Sequence, residues 1–354
     1  MDKIRFQITE DGSVGLYDNE TEDIFHSVTG AYRESYEKFV LAGGLEEFAK
    51  SNNELKILDI CYGIGYNTKT AINSALKINS DINITVNSLE YNPKVACLSP
   101  FIKDNINNIS LKTELIKILS EKIDGFFQFV NDFYSKHPDY KVLYSDPSVY
   151  PIIDFLISGD NINRIDDISA LLHNIYYQNI SNSMENNMYV NNTFKLNFDI
   201  KIGDARQTIN ECNQVYDFVF LDAFTPSKQP ILWTKQFFEK IKSKMNKNSV
   251  LATYSNSSPV RKTLIDLGFN ISKTVIDGKS FGTVATLGNN LLGTPLDEYE
   301  LGLLSTRSGI PYLDNETLTL SSEEILNNRL EIMRNSELIS STQYIKKVKN
   351  ETKI

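Results

Sequence analysis

LKILDICYGIGYN, residues 55–67, decides how the chain is to be read. Its first seven residues, Leu55 to Cys61, form a short and nearly continuous apolar run, the pattern of a strand buried on both faces of a parallel sheet. Gly63 and Gly65 follow one residue apart, and residues 66–78 then read as a helix. Two glycines between a strand and a helix let the backbone turn sharply and approach a ligand closely. A dinucleotide-binding loop would carry a third glycine at position 68, where this chain has Thr68. That substitution argues against NAD or FAD.

Working outward, the alternation of strand and helix continues. Residues 82–90 read as a second strand ending in Glu90. After a long interruption come strand 192–202, helix 204–211, strand 216–222, helix 232–245, strand 249–255, helix 257–267, and strands 269–276 and 282–287. Interleaved strands and helices predict a mostly parallel sheet with right-handed crossovers, a Rossmann-like α/β fold. Residues 4–17 alternate around Asp11-Gly12 and predict a β-hairpin, followed by a helix over 30–49 interrupted at Gly43-Gly44. The expected organisation is therefore an N-terminal hairpin and helix (1–50), a Rossmann-like domain (51–94 and 186–288), a helical insertion (95–185, with helical patterns at 110–134 and 164–182) and a C-terminal extension (289–354). In that extension Ser321 and Glu324 form a capping box opening a helix near 321–336, and the basic end around Ile345–Lys349 is expected to fray.

Composition bounds the function. The 354 residues carry 36 Lys and Arg against 45 Asp and Glu, a net charge of −9, which does not advertise a nucleic-acid binder, although a local basic patch can sit on an acidic protein. Cys61, Cys97 and Cys212 are scattered and odd in number, so they make no disulfide framework and fit a reducing cytosol. His26, His137 and His173 lack zinc-ligand spacing, and no metal site is expected. Neither a signal-peptide stretch nor an apolar run of the ~20 residues a membrane helix needs is present. The expectation is a soluble, cytoplasmic protein.

Acidic residues at three successive strand ends carry the next step. Asp59 lies at the tip of the first strand, Glu90 ends the second, and Asp204 stands in Gly203-Asp204-Ala205-Arg206 after the third. Loop N–H groups and Asp59 suit an amino-acid carboxylate and ammonium. Glu90 suits two ribose hydroxyls, and Asp204 suits an adenine amine as well as capping its helix. Together with the glycine pair they place an adenosyl group, as in S-adenosylmethionine, along the carboxyl edge of the sheet. The fourth strand delivers Asp222, followed by Phe224, Pro226, Lys228, Pro230 and Trp233. An acceptor oxygen at Asp222 would align the N–H groups of an amine and take the proton that methylation makes acidic. Phe224 and Pro226 would wall the substrate. Trp233, the single Trp, is open to two readings, packing a helix on the sheet or stacking on substrate.

These segments resemble the methyltransferase domain of bacterial tRNA 5-methylaminomethyl-2-thiouridine (MnmC-like) enzymes. The resemblance runs through Thr9–Ser13 with Leu16-Tyr17, Phe25–Ser27, Gly30-Ala31 with Glu34-Ser35, the glycine pair with Asn67, and Gly203–Arg206. It continues through Phe220–Phe224 with Pro226, Pro230 and Trp233-Thr234, then Leu251–Ser255, Val260-Arg261, Leu264 and Gly268-Phe269. It covers about residues 5–95 and 192–288. It implies S-adenosylmethionine as cofactor and transfer of a methyl group to the aminomethyl group of uridine 34 in tRNA. It further implies that Gly63, Gly65, Asn67, Glu90, Asp204 and Ala205 line the cofactor site, that Asp222 faces the amine, and that a partner enzyme supplies the aminomethyl intermediate. The chain is too short for the flavin oxidase domain of bifunctional members, so a stand-alone form is expected. Where members often show a basic Gly-Arg/Lys cluster, this chain has Gly278-Lys279-Ser280-Phe281-Gly282, with Lys228, Lys235, Arg261, Lys262 and the tail lysines as other basic candidates. An aminopropyltransferase-like polyamine enzyme, a methyltransferase of a small amine or protein, and a non-catalytic RNA-binding module are the competing readings.

Overall fold

The computed structural model describes residues 4–18, 23–25, 29–158, 170–171, 174, 195–276, 278–289 and 291–351. The chain divides into two compact units. The first comprises residues 1–36, 45–55 and 62–203, and the second 37–44, 56–61 and 204–354.

In the first unit, β1 (Ile4–Ile8), β2 (Val14–Asp18) and β3 (Asp23–Phe25) form an antiparallel sheet, with Ile8 opposite Val14. The expected hairpin is therefore present. Its turn is closed by Asp11, whose carboxylate accepts from the Ser13 N–H and the Thr9 hydroxyl, both at 2.9 Å, while Gly12 takes φ 81°. Helices Ala31–Ser35 and Leu45–Ser51 flank a π-helical stretch, Tyr36–Leu41, and the break falls at Gly44, with φ 71°. β4 (Glu54–Ile60) leads through the glycine turn into helix Tyr66–Ile78. β5 (Asn83–Glu90) pairs in parallel with β6 (Leu196–Ile202), from Ile84↔Leu196 to Glu90↔Ile202.

Between β5 and β6 lie five described helices: Pro93–Leu98, Ile109–Lys122, Phe126–Lys136, Pro138–Tyr144 and Tyr150–Ile157. The single helical pattern read over 110–134 is two helices, because Gly125 takes φ 72° and ends the first run. The pattern at 164–182 lies almost wholly outside the described residues. A charge cluster sits inside this unit. Lys69 Nζ lies 2.8 Å from Asp104 Oδ2, and Lys112 Nζ lies 3.1 Å from Asp104 Oδ1 and 2.5 Å from Asp146 Oδ2.

In the second unit the strand order is β11 (Thr294–Pro295), β9 (Asn270–Ile276), β10 (Lys279–Thr286), β8 (Val250–Thr253), β7 (Phe218–Leu221), β4. β4, β7 and β8 run parallel, with Ile57↔Phe218 and Phe218↔Val250 in register. β10 is antiparallel to both β8 and β9. β9 and β10 therefore join the sheet as a hairpin rather than by another crossover, with β11 outside β9. The Asp-Gly dipeptide at 277–278, between the two strands in sequence, is a strong turn signal.

The C-terminal segment is more ordered than its sequence suggested. Helix Ser322–Asn335 has the expected capping box. A further helix, Glu298–Leu304, opens with a second box, Asp297 with Glu300, that the sequence reading passed over. The tail expected to fray is helical over Ser341–Glu351.

Candidate functional site

The glycine turn belongs to the first unit. Cys61, Gly63 and Gly65 all take positive φ, at 71°, 56° and 75°. Tyr62 anchors the turn on both sides. Its N–H donates to Leu89 O at 3.0 Å, and its hydroxyl bonds Ser99 Oγ at 2.8 Å. A Cβ on Gly65 would fall 2.5 Å from both Ser99 Oγ and the Tyr62 ring, so glycine is required by space as well as by backbone conformation. The Gly63 N–H donates to Glu90 Oε2 at 2.7 Å, and the Asn92 N–H donates to Oε1 at 2.7 Å. Glu90 is thus the clasp of the turn. Burial pushes its pKa above the usual glutamate value, partly offset by the backbone N–H groups of Asn92, Gly63 and Tyr91. Asn67 is buried in the first turn of the helix, where its Oδ1 accepts from Ser35 Oγ at 2.8 Å. Its carbonyl oxygen ties two helices together.

The remaining candidates belong to the second unit. Asp59 is completely buried in β4. Asp204 caps the short helix Ala205–Thr208, accepting from the Arg206 N–H at 2.9 Å, and the same carboxylate pairs with Arg206 Nη2 at 2.7 Å. Arg206 Nη1 reaches on to Asp314 Oδ2 at 3.0 Å and Leu320 O at 2.8 Å. Ala205 is buried as the first residue of that helix.

β7 delivers Asp222 to the sheet edge, where its N–H donates to Ile60 O at 3.2 Å. The loop that follows is pinned from below. Tyr254 Oη donates to Ala223 O at 2.8 Å, and Trp233 Nε1 donates to Phe224 O at 2.8 Å. The two rings meet edge to face, with centroids 5.9 Å apart. The carbonyl of Thr225 accepts from the N–H groups of both Lys228 and Gln229, at 2.9 Å each, which folds residues 225–229 into a turn. Asp222 and Phe224 are half-buried, Pro226 is buried and Lys228 is exposed.

Two sequence expectations change here. Trp233 has no exposed surface at all, so stacking on a substrate gives way to the packing reading: the indole holds the loop carbonyl. Arg261 is also buried. It donates to Thr283 Oγ1, Ser280 Oγ and the Gly282 carbonyl and pairs with Glu300, so it braces β10 instead of adding to a basic surface. Lys262 pairs with Asp266. Tyr254, matched in the resemblance but given no role, turns out to be the second pin of the Asp222 loop. Its signal was its place at the tip of the neighbouring strand. Among the described residues, no cluster of His, Cys, Asp or Glu could hold a metal ion, and no helix is long and apolar enough to cross a membrane.

Comparison with known proteins fits this geometry. A family model described as S-adenosyl-L-methionine-dependent methyltransferase matches residues 166–287. An uncharacterized protein of Methanocaldococcus jannaschii is 26% identical over 325 residues, covering 91% of this chain and 70% of that one. The tRNA 5-methylaminomethyl-2-thiouridine biosynthesis bifunctional protein MnmC of Leptospira interrogans is 34% identical over 79 residues, which cover 22% of this chain and only 12% of that protein. The crystal structure of MnmC2 from Aquifex aeolicus superposes with a TM-score of 0.63 at 26% identity, covering 94% of this chain and 85% of that one. The fold is the Rossmann-like α/β fold of class I methyltransferases, and residues 166–287 match the S-adenosyl-L-methionine-dependent methyltransferase family model.

Proposed function

We propose that the protein methylates an amine on tRNA, the aminomethyl group of 5-aminomethyl-(2-thio)uridine at the wobble position. The observation that carries this reading is the Asp222 loop, a half-buried carboxylate at a strand tip whose two following carbonyls are fixed by the half-buried Tyr254 and the fully buried Trp233. S-adenosyl-L-methionine supplies a methyl group on a sulfonium. The protein's task is then to present a neutral amine with its lone pair directed at that methyl. Asp222 accepts the amine N–H bonds, which fixes the lone-pair direction, and takes up the proton that becomes acidic as nitrogen gains its substituent. Loop rigidity matters because a displacement of about 1 Å in such an alignment can cost ~100-fold in rate. Trp233 and Tyr254 therefore serve as positioning residues, while Phe224, Pro226 and Lys228 face the substrate.

The first unit's donor set fits the cofactor's polar end. The glycine turn offers backbone N–H groups. Glu90 has about four acceptor positions, of which the N–H groups of Gly63, Asn92 and Tyr91 engage up to three, leaving room for a ribose hydroxyl. Gly63, Gly65 and Glu90 are assigned to hold the cofactor, with Asn67 keeping the helix behind the turn in place. In the second unit Asp59, Asp204 and Ala205 are proposed as cofactor-binding residues. The protein is proposed to act in the cytoplasm, downstream of an enzyme that makes the aminomethyl intermediate.

The test is methyl transfer from labelled S-adenosyl-L-methionine to bulk tRNA rich in that intermediate, read by nucleoside mass spectrometry. A gain of one methyl on the aminomethyl nucleoside is expected, and Asp222→Ala should lower the rate at least ~100-fold while leaving cofactor affinity within a few-fold. Cofactor binding without any label on tRNA would move the substrate to small amines or proteins.

A further inference from the structure

The C-terminal segment is tied to Asp204 by a chain of charge that helix capping alone does not call for. A cap needs one oxygen on one backbone N–H. Asp204 Oδ1 provides that to Arg206 N at 2.9 Å. The same carboxylate also takes the Arg206 fork, with Nε 3.1 Å from both oxygens and Nη2 2.7 Å from Oδ2. Arg206 in turn is gripped by the C-terminal segment. Nη1 donates to Asp314 Oδ2 at 3.0 Å and to Leu320 O at 2.8 Å. The side chain of Asp314 is 0% exposed, and its Oδ1 accepts from the N–H groups of Asn315 and Leu320, at 2.8 and 3.0 Å. The Asp314 N–H donates to Gln236 Oε1 at 2.9 Å, which roots the segment beside helix Lys235–Ser243.

Counting acceptor positions shows what this leaves. A carboxylate has about four, and the Arg206 N–H, Nε and Nη2 take about three of them. Because the single Nε hydrogen is shared between the two oxygens, about one acceptor position stays unfilled among the described residues, and the Asp204 side chain keeps 30% of its surface exposed. The result is a fixed acceptor with one open edge. Such a group reads a donor and repels an acceptor. Adenine presents a 6-amino donor at its edge, and hypoxanthine presents a 6-keto acceptor at the same place.

We propose that Arg206 and Asp314 are positioning residues that fix Asp204 as the acceptor for the adenine amine, so that the C-terminal segment sets the nucleobase selectivity of the cofactor site. This rests on the reading of the chain as a user of S-adenosyl-L-methionine and names a control on that site. Arg206 supplies geometry as well as charge: its planar fork fits a carboxylate, whereas a lysine ammonium is a point charge.

The experiment is calorimetric titration of the full chain with S-adenosyl-L-homocysteine and with S-inosyl-L-homocysteine. The readout is the ratio of the two dissociation constants. The wild type should favour the adenosyl compound at least tenfold, and Asp204→Ala should bring the ratio close to one. Asp314→Asn and Arg206→Lys should each lower it several-fold, the second while keeping the positive charge. A merely structural role would weaken both ligands alike and leave the ratio unchanged, so an unchanged ratio in folded Arg206→Lys and Asp314→Asn overturns the proposal. Should Asp314→Asn fail to fold, Arg206→Lys and Gln236→Ala, which releases the Asp314 N–H, decide it by the same ratio. A wild type that binds both compounds equally also overturns it, while leaving the methyltransferase reading standing. A wild type that binds neither removes that reading and the proposal with it.

Discussion

The two units handle buried charge in opposite ways. In the first, Lys69, Asp104 and Lys112 have side-chain exposures of 0%, 0% and 2%, and they neutralise one another with Asp146 as the outermost member. Every cation in that cluster is matched inside the protein, which suits a purely structural role. In the second, the Asp204–Arg206–Asp314 chain is buried at one end and open at the other, with Asp314 at 0% and Asp204 at 30% exposure. A charge network that ends at the surface has an unfilled acceptor position to offer a ligand, and a closed one does not. The contrast is a physical criterion for separating carboxylates that hold the fold from those that can bind.

The sharpest way to break that contrast is Asp104→Asn. It would leave two buried ammonium groups with weakened compensation, and losing one partner of a buried ion pair costs about 3–5 kcal/mol. Urea unfolding should show that loss, and a change below about 1 kcal/mol would mean the cluster is not the closed, mutually dependent set described here.

Glu90 falls between the two cases, being buried yet held by backbone N–H groups among the described residues. Its raised pKa fixes the signs. Between 4.5 and the folded value the native state keeps a proton that the unfolded state has released, so stability falls as pH rises through that window. Cofactor affinity should do the reverse, weakening as pH falls through the same window, because the ionised form is the acceptor. Glu90→Gln is expected to weaken S-adenosyl-L-methionine roughly tenfold, about the worth of one hydrogen bond to a charged group, and to flatten the pH profile of binding. A profile as steep as the wild type's would remove Glu90 from the binding step.

The smallest effect belongs to the surface pair Lys262–Asp266, with exposures of 34% and 43%. Asp266→Asn should shift unfolding by no more than about 0.5 kcal/mol and leave methyl transfer unchanged. A larger loss would show that exposed charge matters here more than the comparison allows.

What could be read from sequence was local. The glycine turn, β4, Glu90 at its strand end, the Asp11-Gly12 hairpin and the Ser321–Glu324 box each depend on residues within a few positions of one another. The Asp297–Glu300 box was equally local and simply went unread. The Arg206–Asp314 contact spans 108 positions and has no local signature. The burial of Trp233 and Arg261 was hidden for a related reason. An indole or a guanidinium has the same chemistry on a surface as in a core, and only the packing of β10 and of the Asp222 loop decides which it is. The antiparallel direction of β9 and β10 stayed open in the sequence because a strand pattern carries no direction. The Asp-Gly pair between the two strands held that information.

The pairing of β5 with β6 has a consequence for how the chain acquires its shape. The two strands match residue for residue from Ile84↔Leu196 to Glu90↔Ile202, yet everything from residue 91 to residue 195 must be made before the first of those bonds can form. Were that stretch a flexible loop, closing it would cost roughly 2 kcal/mol more than closing a crossover of about a dozen residues. Helices such as Ile109–Lys122 and Phe126–Lys136 are built from neighbouring residues and form without waiting for β6. By folding first they shorten the effective span and bring the two strands within reach. How readily the insertion's helices form then bears on how fast the β5 edge is covered, and so on how long that edge stays open to pairing with another chain.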